Sequence, residues 1–293
     1  MSLNASNDYQ ERDEPQKWKA DHEKRIAWVV GGDFNMVEEE EDKVRGFPLS
    51  GKVVVVIGNS ASGEDIAREL AGVAKEVHIS ARSMKSQGST VNLVDGPNKT
   101  FLHPLIESLN QDGAVNFQDG TSIVANSIIH CTGYSYHFPF LDTKGIVTVN
   151  DNCVGPLYEH VFPPLLAPSL SFIGIPWKIV PFQLCELQSK WVACTLSGKA
   201  IMPSENDMME AVKDFYAHNE AVGRPKHYIH NIGHYQFEYC DWLADQCGCA
   251  HLDDWRKEIY EGTTRNKVKH PQTYRDEWED QYWLEIALSS QSL

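Results

Sequence analysis

The stretch Val53–Ala67, VVVVIGNSASGEDIA, constrains the fold more than any other part of the chain. Its first five residues are all β-branched and apolar. They leave no polar side for water, so they read as a strand buried on both faces, as in a parallel sheet. Gly58 stops the run. Ser62 to Ala74 then carries Ile66, Leu70 and Val73 at helical spacing, and Glu76 to Ser80 reads as a second strand. Strand, glycine turn, helix and strand make one βαβ unit, which belongs in a doubly wound α/β sheet.

The turn reads Gly58-Asn59-Ser60-Ala61-Ser62-Gly63. In a dinucleotide-binding fold the first glycine of such a turn permits a tight bend. The second lets the backbone approach a pyrophosphate, and the third lets helix pack on strand. Here Ser60 replaces the middle glycine. The helix start still offers free N–H groups and a positive dipole end to a phosphate, and Ser60 or Ser62 adds a hydroxyl. A structural βα turn without a ligand is the plain alternative. An NAD site places Asp or Glu at the end of the second strand for the ribose hydroxyls. This strand ends in Ser80-Ala81-Arg82-Ser83, with no acid. Arg82 suits a 2′-phosphate through charge-assisted hydrogen bonds, so NADP(H) is expected over NAD(H), with an ordinary surface arginine as the alternative.

Downstream, Ser83 to Asp112 is loose, with scattered Gly and Pro. Ala114–Phe117, a turn at Asp119-Gly120 and Ser122–Val124 read as a hairpin. Ser127–Cys131 reads as another buried strand, ending at Thr132-Gly133. Leu170–Gly174 reads as a short strand. Pro181–Leu196 reads as a helix, with Pro at its start and Gly198 just past its end. Ser204 to Asp207 forms a capping box for a helix that turns Met208, Val212 and Phe215 inward. The segment from Glu238 onward, rich in Trp and acids, is expected to wrap the surface. Upstream, residues 1 to about 25 are polar without period and are expected to be disordered. Ile26–Val30 reads as a short strand, and Glu38–Asp42 as a solvated acidic run.

Charge and composition narrow the function. The 293 residues carry a formal net charge of −15, which repels phosphate backbones, so no nucleic-acid partner is expected. There is no apolar leader and no uninterrupted window of about eighteen apolar residues, so a cytoplasmic protein without membrane contact is expected. The seven cysteines lack a C-x-x-C spacing. Their one close pair, Cys247-Gly-Cys249, has no second pair to complete a zinc site, so no metal is expected. Most of the cysteines are expected to be buried small apolar side chains.

Several segments, in order, resemble flavin-containing monooxygenases. GNSASGEDIA resembles that family's NADPH-binding turn. IIHCTGYSYHFPFL, Ile128 to Leu141, resembles its A-T-G-Y-like linker, with Cys131 where alanine is usual. FIGIP, Phe172 to Pro176, and FQLCELQSKWVACTLSGKAIMPS, Phe182 to Ser204, resemble its C-terminal flavin-side segment. HPQTYRDEWED, His270 to Asp280, is similar to the plant branch that includes glucosinolate S-oxygenases. The resemblance implies a flavoprotein with two dinucleotide-binding domains. Such proteins use NADPH to reduce bound FAD, and reduced flavin with O₂ to pass one oxygen to a sulfide or amine of a small-molecule substrate. It implies that Gly58, Asn59, Ser60, Ala61, Ser62, Gly63 and Arg82 hold NADP(H). It places Thr132 and Gly133 on the link between the nucleotide domains and Gln188 on the flavin side, where an exposed helix residue is the alternative. No side chain is expected to be catalytic itself.

The chain also departs from that pattern. The family's FAD-binding G-x-G-x-x-G lies upstream of the NADPH turn, yet none precedes Val53, and F-x-G-x-x-x-H-x-x-x-Y/F is absent. The chain is therefore expected to be truncated at its N-terminus. The expected division is a foreign or disordered segment over 1–47, a Rossmann-like NADPH-binding domain over 48–140, and the C-terminal part of an incomplete FAD-binding domain over 141–293. Strands of that last part are expected to keep an uncovered edge and exposed apolar surface. WVVGGDFNMVEEEEDKVRG, Trp28 to Gly46, resembles the GDFN segment of endonuclease/exonuclease/phosphatase-type enzymes of retroelements. There Asp33 and Asn35 would sit at a metal and a phosphate, but the glutamate ligand and S-D-H-like ending of that site are missing. Three readings stand: an NADPH- and FAD-dependent oxygenase, an inactive remnant binding at most NADP(H), and, remotely, a fragment of a metal-dependent phosphodiesterase. The oligomeric state is left open.

Overall fold

The computed structural model describes residues 27–30, 49–82, 91–92, 99–270, 273–274 and 276–290. The expectations for the disordered start, the acidic run and the GDFN segment with Asp33 and Asn35 lie outside the described residues. The chain divides into two compact units, the first ending at Gly133 and the second starting at Tyr134.

Among the described residues the first unit holds β1 (Ala27–Val30), β2 (Val53–Ile57), β3 (Glu76–Ser80), β4 (Val91–Asn92), β5 (Lys99–His103), β6 (Ile106–Leu109), β7 (Ala114–Phe117), β8 (Ser122–Val124), β9 (Ser127–His130) and helix α1 (Ala61–Leu70). One sheet has the order β1-β9-β2-β3-β5-β4 and is parallel except for β4. Strands β6, β7 and β8 form an antiparallel meander. The packing of β2 explains its unbroken apolar sequence. Val54 and Val56 pack with Ala67 and Leu70 of α1, while Val55 packs with Val115, Phe117 and Ile128. Burying one such side chain contributes about 1.5–3 kcal/mol, so a single strand anchors two cores.

Two expectations change here. Helix α1 ends at Leu70 rather than Ala74. Gly72 weakens a further turn, and Val73 O instead accepts from Gly51 N–H at 2.9 Å. The stretch 83–112 is also less loose than its composition implies, because β5 joins β3 in parallel and β6 opens the meander. Its polar residues hid it: Thr100 and His103 are buried. His103 Nε2 meets His78 Nδ1 at 2.9 Å, and His103 Nδ1 meets Thr121 Oγ1 at 3.2 Å. Burial holds both imidazoles below the ordinary histidine range, against the opposing pull of Glu76 and Asp119.

The second unit holds the hairpin β10 (Thr148–Asn150) and β11 (Cys153–Gly155), with helices α2 (Pro181–Leu196), α3 (Glu205–Ala221), α4 (Gln236–Cys247), α5 (Asp254–Lys269) and α6 (Asp280–Ser290). The hairpin turns on Asp151 and Asn152, at φ +48° and +54°. Helices α2 and α3 fall where expected. The Ser204 hydroxyl accepts from Asp207 N–H at 3.2 Å, and the Asp207 carboxylate accepts from Ser204 N–H at 3.3 Å. Met208 and Val212 face inward, whereas Phe215 stays exposed with its ring on His160 at 5.5 Å.

Several expectations meet the structure here, with different outcomes. Leu170–Gly174 is not a strand: Phe172 N–H donates to Val161 O at 2.9 Å, and Gly174 turns at φ +78°. The segment after Glu238 lies at the surface only in part: α4 buries Tyr239, Cys240, Leu243 and Ala244 against Leu184, Leu187 and Trp191 of α2, whereas in α5 and α6 Gly262 alone is buried among the described residues. An uncovered edge and exposed apolar side chains are both present: β10 and β11 pair in a sheet of two strands, and Phe182 and Ile201 are 87% and 92% exposed. All seven cysteines are free, and only Cys153 and Cys240 are buried, the other five being half-buried. No helix among the described residues is long and apolar enough to cross a membrane.

Candidate functional site

Strand β2 sits where the sheet order reverses: β3 and β5 follow it on one side, and β9 lies on the other. Ligands of open α/β sheets bind beyond the carboxyl ends of the strands at such a point. At that edge the turn after β2 meets the end of β9. Gly58 adopts φ +112°, and a Cβ on it would lie 2.3 Å from the Cys131 carbonyl oxygen. A Cβ on Gly63 would lie 2.1 Å from the Gly58 carbonyl oxygen. Neither position admits a side chain, so strand, turn and helix close up through backbone alone. Cys131 N–H donates to Ile57 O at 2.8 Å and Gly58 N–H to Ser80 O at 2.9 Å, which carries the ladder just past the strand ends.

Ser60 is the helix N-cap, and its hydroxyl makes no capping bond. The first helical bond runs from Glu64 N–H to Ser60 O at 2.8 Å. The N–H groups of Ala61, Ser62 and Gly63 therefore have no acceptor within the helix. Ser60, Ala61 and Ser62 are exposed, and Asn59 is half-buried. These donors, at the positive end of a helix dipole, suit a pyrophosphate.

Thr132 and Gly133 follow β9 at the same edge, and both are exposed. Cys131 is half-buried, and burial raises its thiol. Arg82 is exposed two residues beyond β3, whose last carbonyl is tied to Gly58. Ser80 itself is buried, and its hydroxyl donates to Pro104 O at 3.0 Å. The fold thus gathers Gly58 to Gly63 with Thr132 and Gly133, and sets Arg82 on the same edge of the sheet. The Cys131 carbonyl is the member that sequence reasoning missed, because nothing local marks its approach to Gly58.

Gln188 lies in the second unit, fully buried on α2 rather than exposed. Its side-chain oxygen accepts from Gly174 N–H at 2.8 Å, and its amide donates to Tyr239 OH at 3.1 Å. That hydroxyl donates to Glu159 O at 2.6 Å. Glu159 and His160 take left-handed φ values of +47° and +60° and close a turn in which Val161 N–H donates to Tyr158 O at 3.0 Å. His160 Nδ1 meets His230 Nδ1 at 3.0 Å, and His230 Nε2 meets the Val154 backbone N–H at 3.0 Å. Burial drives His160 down to about 3 and His230 down to about 4. This cluster had no sequence signal beyond two polar residues, Glu159 and His160, set inside an apolar stretch.

Residues 97–250 match the model of the family described as flavin-binding monooxygenase-like. Flavin-containing monooxygenase FMO GS-OX-like 3 of Arabidopsis thaliana is 53% identical over 246 residues, 84% of this chain and 54% of that protein. S-allyl-L-cysteine S-oxygenase from Allium sativum has a similar structure, with 53% identity and a TM-score of 0.76, over 84% of this chain and 55% of that one. Tmm from Pelagibacter sp. strain HTCC7211 superposes at a TM-score of 0.61 with 25% identity, over 78% of this chain and 50% of that one. The chain spans about half the length of the curated relatives it matches.

Proposed function

The chain belongs to the flavin-binding monooxygenase-like family, and from that premise we propose that its first unit holds NADP(H) for the S- or N-oxygenation of a small soft nucleophile. The observation that carries this reading is the exposed start of α1, with its Ser60 hydroxyl unbonded, at the reversal of the sheet order. The pyrophosphate would rest on the N–H groups of Ala61, Ser62 and Gly63, with the Ser60 hydroxyl as a further donor beside Asn59. Gly58 and Gly63 act beneath it by letting β2, α1 and β9 close up. Arg82 would pair with the 2′-phosphate, and Thr132 and Gly133 would border the crevice at the end of β9. When bound, NADPH supplies a hydride and FAD supplies the activation of O₂. The described residues form one strand–turn–helix cradle, which fits one pyrophosphate. They offer no second cradle for FAD, so no oxygenation step is assigned to residues of this chain. Gln188, the flavin-side residue in this reading, is a positioning residue that acts through Gly174 and Tyr239.

Titration calorimetry of the purified chain tests the site. NADPH should bind saturably, and Arg82→Ala should weaken NADPH roughly tenfold to hundredfold while leaving NADH nearly unchanged. Equal losses for both dinucleotides remove the 2′-phosphate assignment. Folded protein that gives no saturable heat removes the site itself.

A second reading is an inactive remnant that binds at most NADP(H), since the described residues offer a cradle for one pyrophosphate. An absorbance spectrum separates the two. Stoichiometric flavin with sulfide-dependent NADPH oxidation supports the oxygenase. Colourless protein that takes up no added FAD supports the remnant.

A further inference from the structure

A cavity of about 380 Å³ opens in the second unit between the start of α2 and one face of α5. Trp255, Ile259 and Tyr260 give it an apolar wall with Val180. Arg256 and Lys267 bring the only charges among the described residues that line it. Arg256, Tyr260, Thr263 and Lys267 recur three or four residues apart, so α5 by itself sets them along one face. The Arg256 guanidinium stands 4.5 Å from the centre of the Trp255 ring. It has no hydrogen-bond acceptor among the described residues, because the Asp253 carboxylate stays 3.7 Å from its Nε and Glu186 is taken by Lys190 at 2.7 Å. The half-buried Gln183 amide has no hydrogen-bond partner among the described residues either. The Trp255 Nε1–H is buried without an acceptor, so this wall keeps an unmet donor as well. The Thr263 and Thr264 hydroxyls, by contrast, are spent on Ile259 O at 2.9 Å and Tyr260 O at 3.0 Å. The whole chain carries a net charge of −15, yet no Asp or Glu among the described residues lines this cavity.

We propose that this cavity binds a small organic anion with a flat aromatic body, of the aromatic carboxylate class. The ring covers Trp255, Ile259 and Tyr260, and the carboxylate pairs with the Arg256 guanidinium, whose fork matches two oxygens. Charge decides the class. A neutral apolar ligand would leave Arg256 and Gln183 unpaired, and a cation would meet two like charges. An anion gains on both counts, and it lies within the first turn of α5, at the positive end of the helix dipole. The Lys267 ammonium, 5.6 Å from the centre of the Tyr274 ring, adds a second positive charge along the same face. The volume falls at the small end of ligand sites, roughly 300–1,000 Å³, which suits one or two fused rings. No residue of this cavity belongs to the NADP(H) cradle, so the two sites stand or fall separately.

The test is titration calorimetry of the full chain with 2-naphthoate and with 2-naphthamide, which has the same rings without the charge. Naphthoate should bind saturably and about tenfold more tightly than the amide. Arg256→Gln should abolish that preference and leave binding of the amide within about twofold. Thr264→Trp, at an exposed position on the cavity's border, should weaken both ligands by about tenfold or more. NADPH should leave the naphthoate isotherm unchanged. Folded wild type that gives no saturable heat with naphthoate overturns the proposal, as does equal affinity for acid and amide. An unchanged preference in Arg256→Gln overturns it too, and so does displacement of naphthoate by NADPH, which would assign the ligand to the dinucleotide site. Should Thr264→Trp fail to fold, the wild type and Arg256→Gln decide.

Discussion

The first unit is held at its critical point by backbone, and the second by side chains that meet from far apart in sequence. In the first, Gly58 and Gly63 let carbonyl oxygens approach to where any Cβ would collide. In the second, Gln188 reaches Gly174 and Tyr239, His160 reaches His230, and Trp191 packs on Trp242. The two arrangements fail in opposite ways. Backbone contact cannot tolerate an added atom, whereas a side-chain network cannot tolerate a lost partner. They also differ in what they offer a ligand. The first unit turns N–H donors and a free hydroxyl toward solvent, while the second directs its donors inward.

This contrast is tested hardest at Gly58. Gly58→Ala places a methyl against the Cys131 carbonyl at a φ that L side chains rarely adopt. It should cost about 3–6 kcal/mol, measured by urea unfolding followed by circular dichroism. The fluorescence of Trp191 and Trp242 should shift far less, and an equal shift would show that the two units do not fail separately. Gly120→Ala is the control. Nothing lies within 4 Å of its new Cβ, so only about 1–2 kcal/mol of left-handed strain is expected.

Acid should act next. His160 and His230 stay neutral in the fold, at about 3 and about 4 against 6.5 in the unfolded chain. The unfolded chain therefore binds protons first as the pH drops. The stability from these groups is fully present above 6.5 and is lost on the way down to about 4 and about 3. By about pH 4.5 the loss should reach about 5 kcal/mol for the two groups together, read as a lower urea midpoint in tryptophan fluorescence. His78 and His103 act in the same direction in the first unit. His160→Gln should flatten the fluorescence-detected slope, and an unchanged slope would assign it to other groups.

Smaller effects follow at single partners. Gln188→Leu keeps the bulk but leaves Gly174 N–H without its acceptor and Tyr239 OH without its donor. It should cost about 1–3 kcal/mol and leave NADPH affinity unchanged, and weakened NADPH binding would contradict the separation of roles drawn above. Ser204→Ala removes one cap from α3 and should lower stability by about 1 kcal/mol in the same urea titration.

The elements that could be read in advance depend on neighbouring residues. Val53–Ile57 is β-branched throughout, Asp119-Gly120 marks a hairpin, Pro181 opens α2, and Ser204 and Asp207 cap α3. Strand β5 was hidden because His103 is polar and finds its partner, His78, 25 residues away. Helix α4 was hidden by its Trp and acidic content, although Gln236, Cys240, Leu243 and Ala244 keep helical spacing on the buried side. At the candidate site the glycine turn and Arg82 could be picked out locally. The Cys131 carbonyl could not, since its contact with Gly58 crosses from one strand to another.

A short local segment was enough to establish a buried strand, a glycine turn and a helix start able to receive a phosphate. Those properties arise from conformational preference and sterics within a few residues. Which polar groups stay available was settled only when the chain folded in three dimensions. The Ser60 hydroxyl makes no cap bond, while Ser80, His103 and Gln188 are taken up by Pro104, His78 and Tyr239. A hydrogen-bonding group has few valences, and partners distant in the chain can claim them only once packing brings them together.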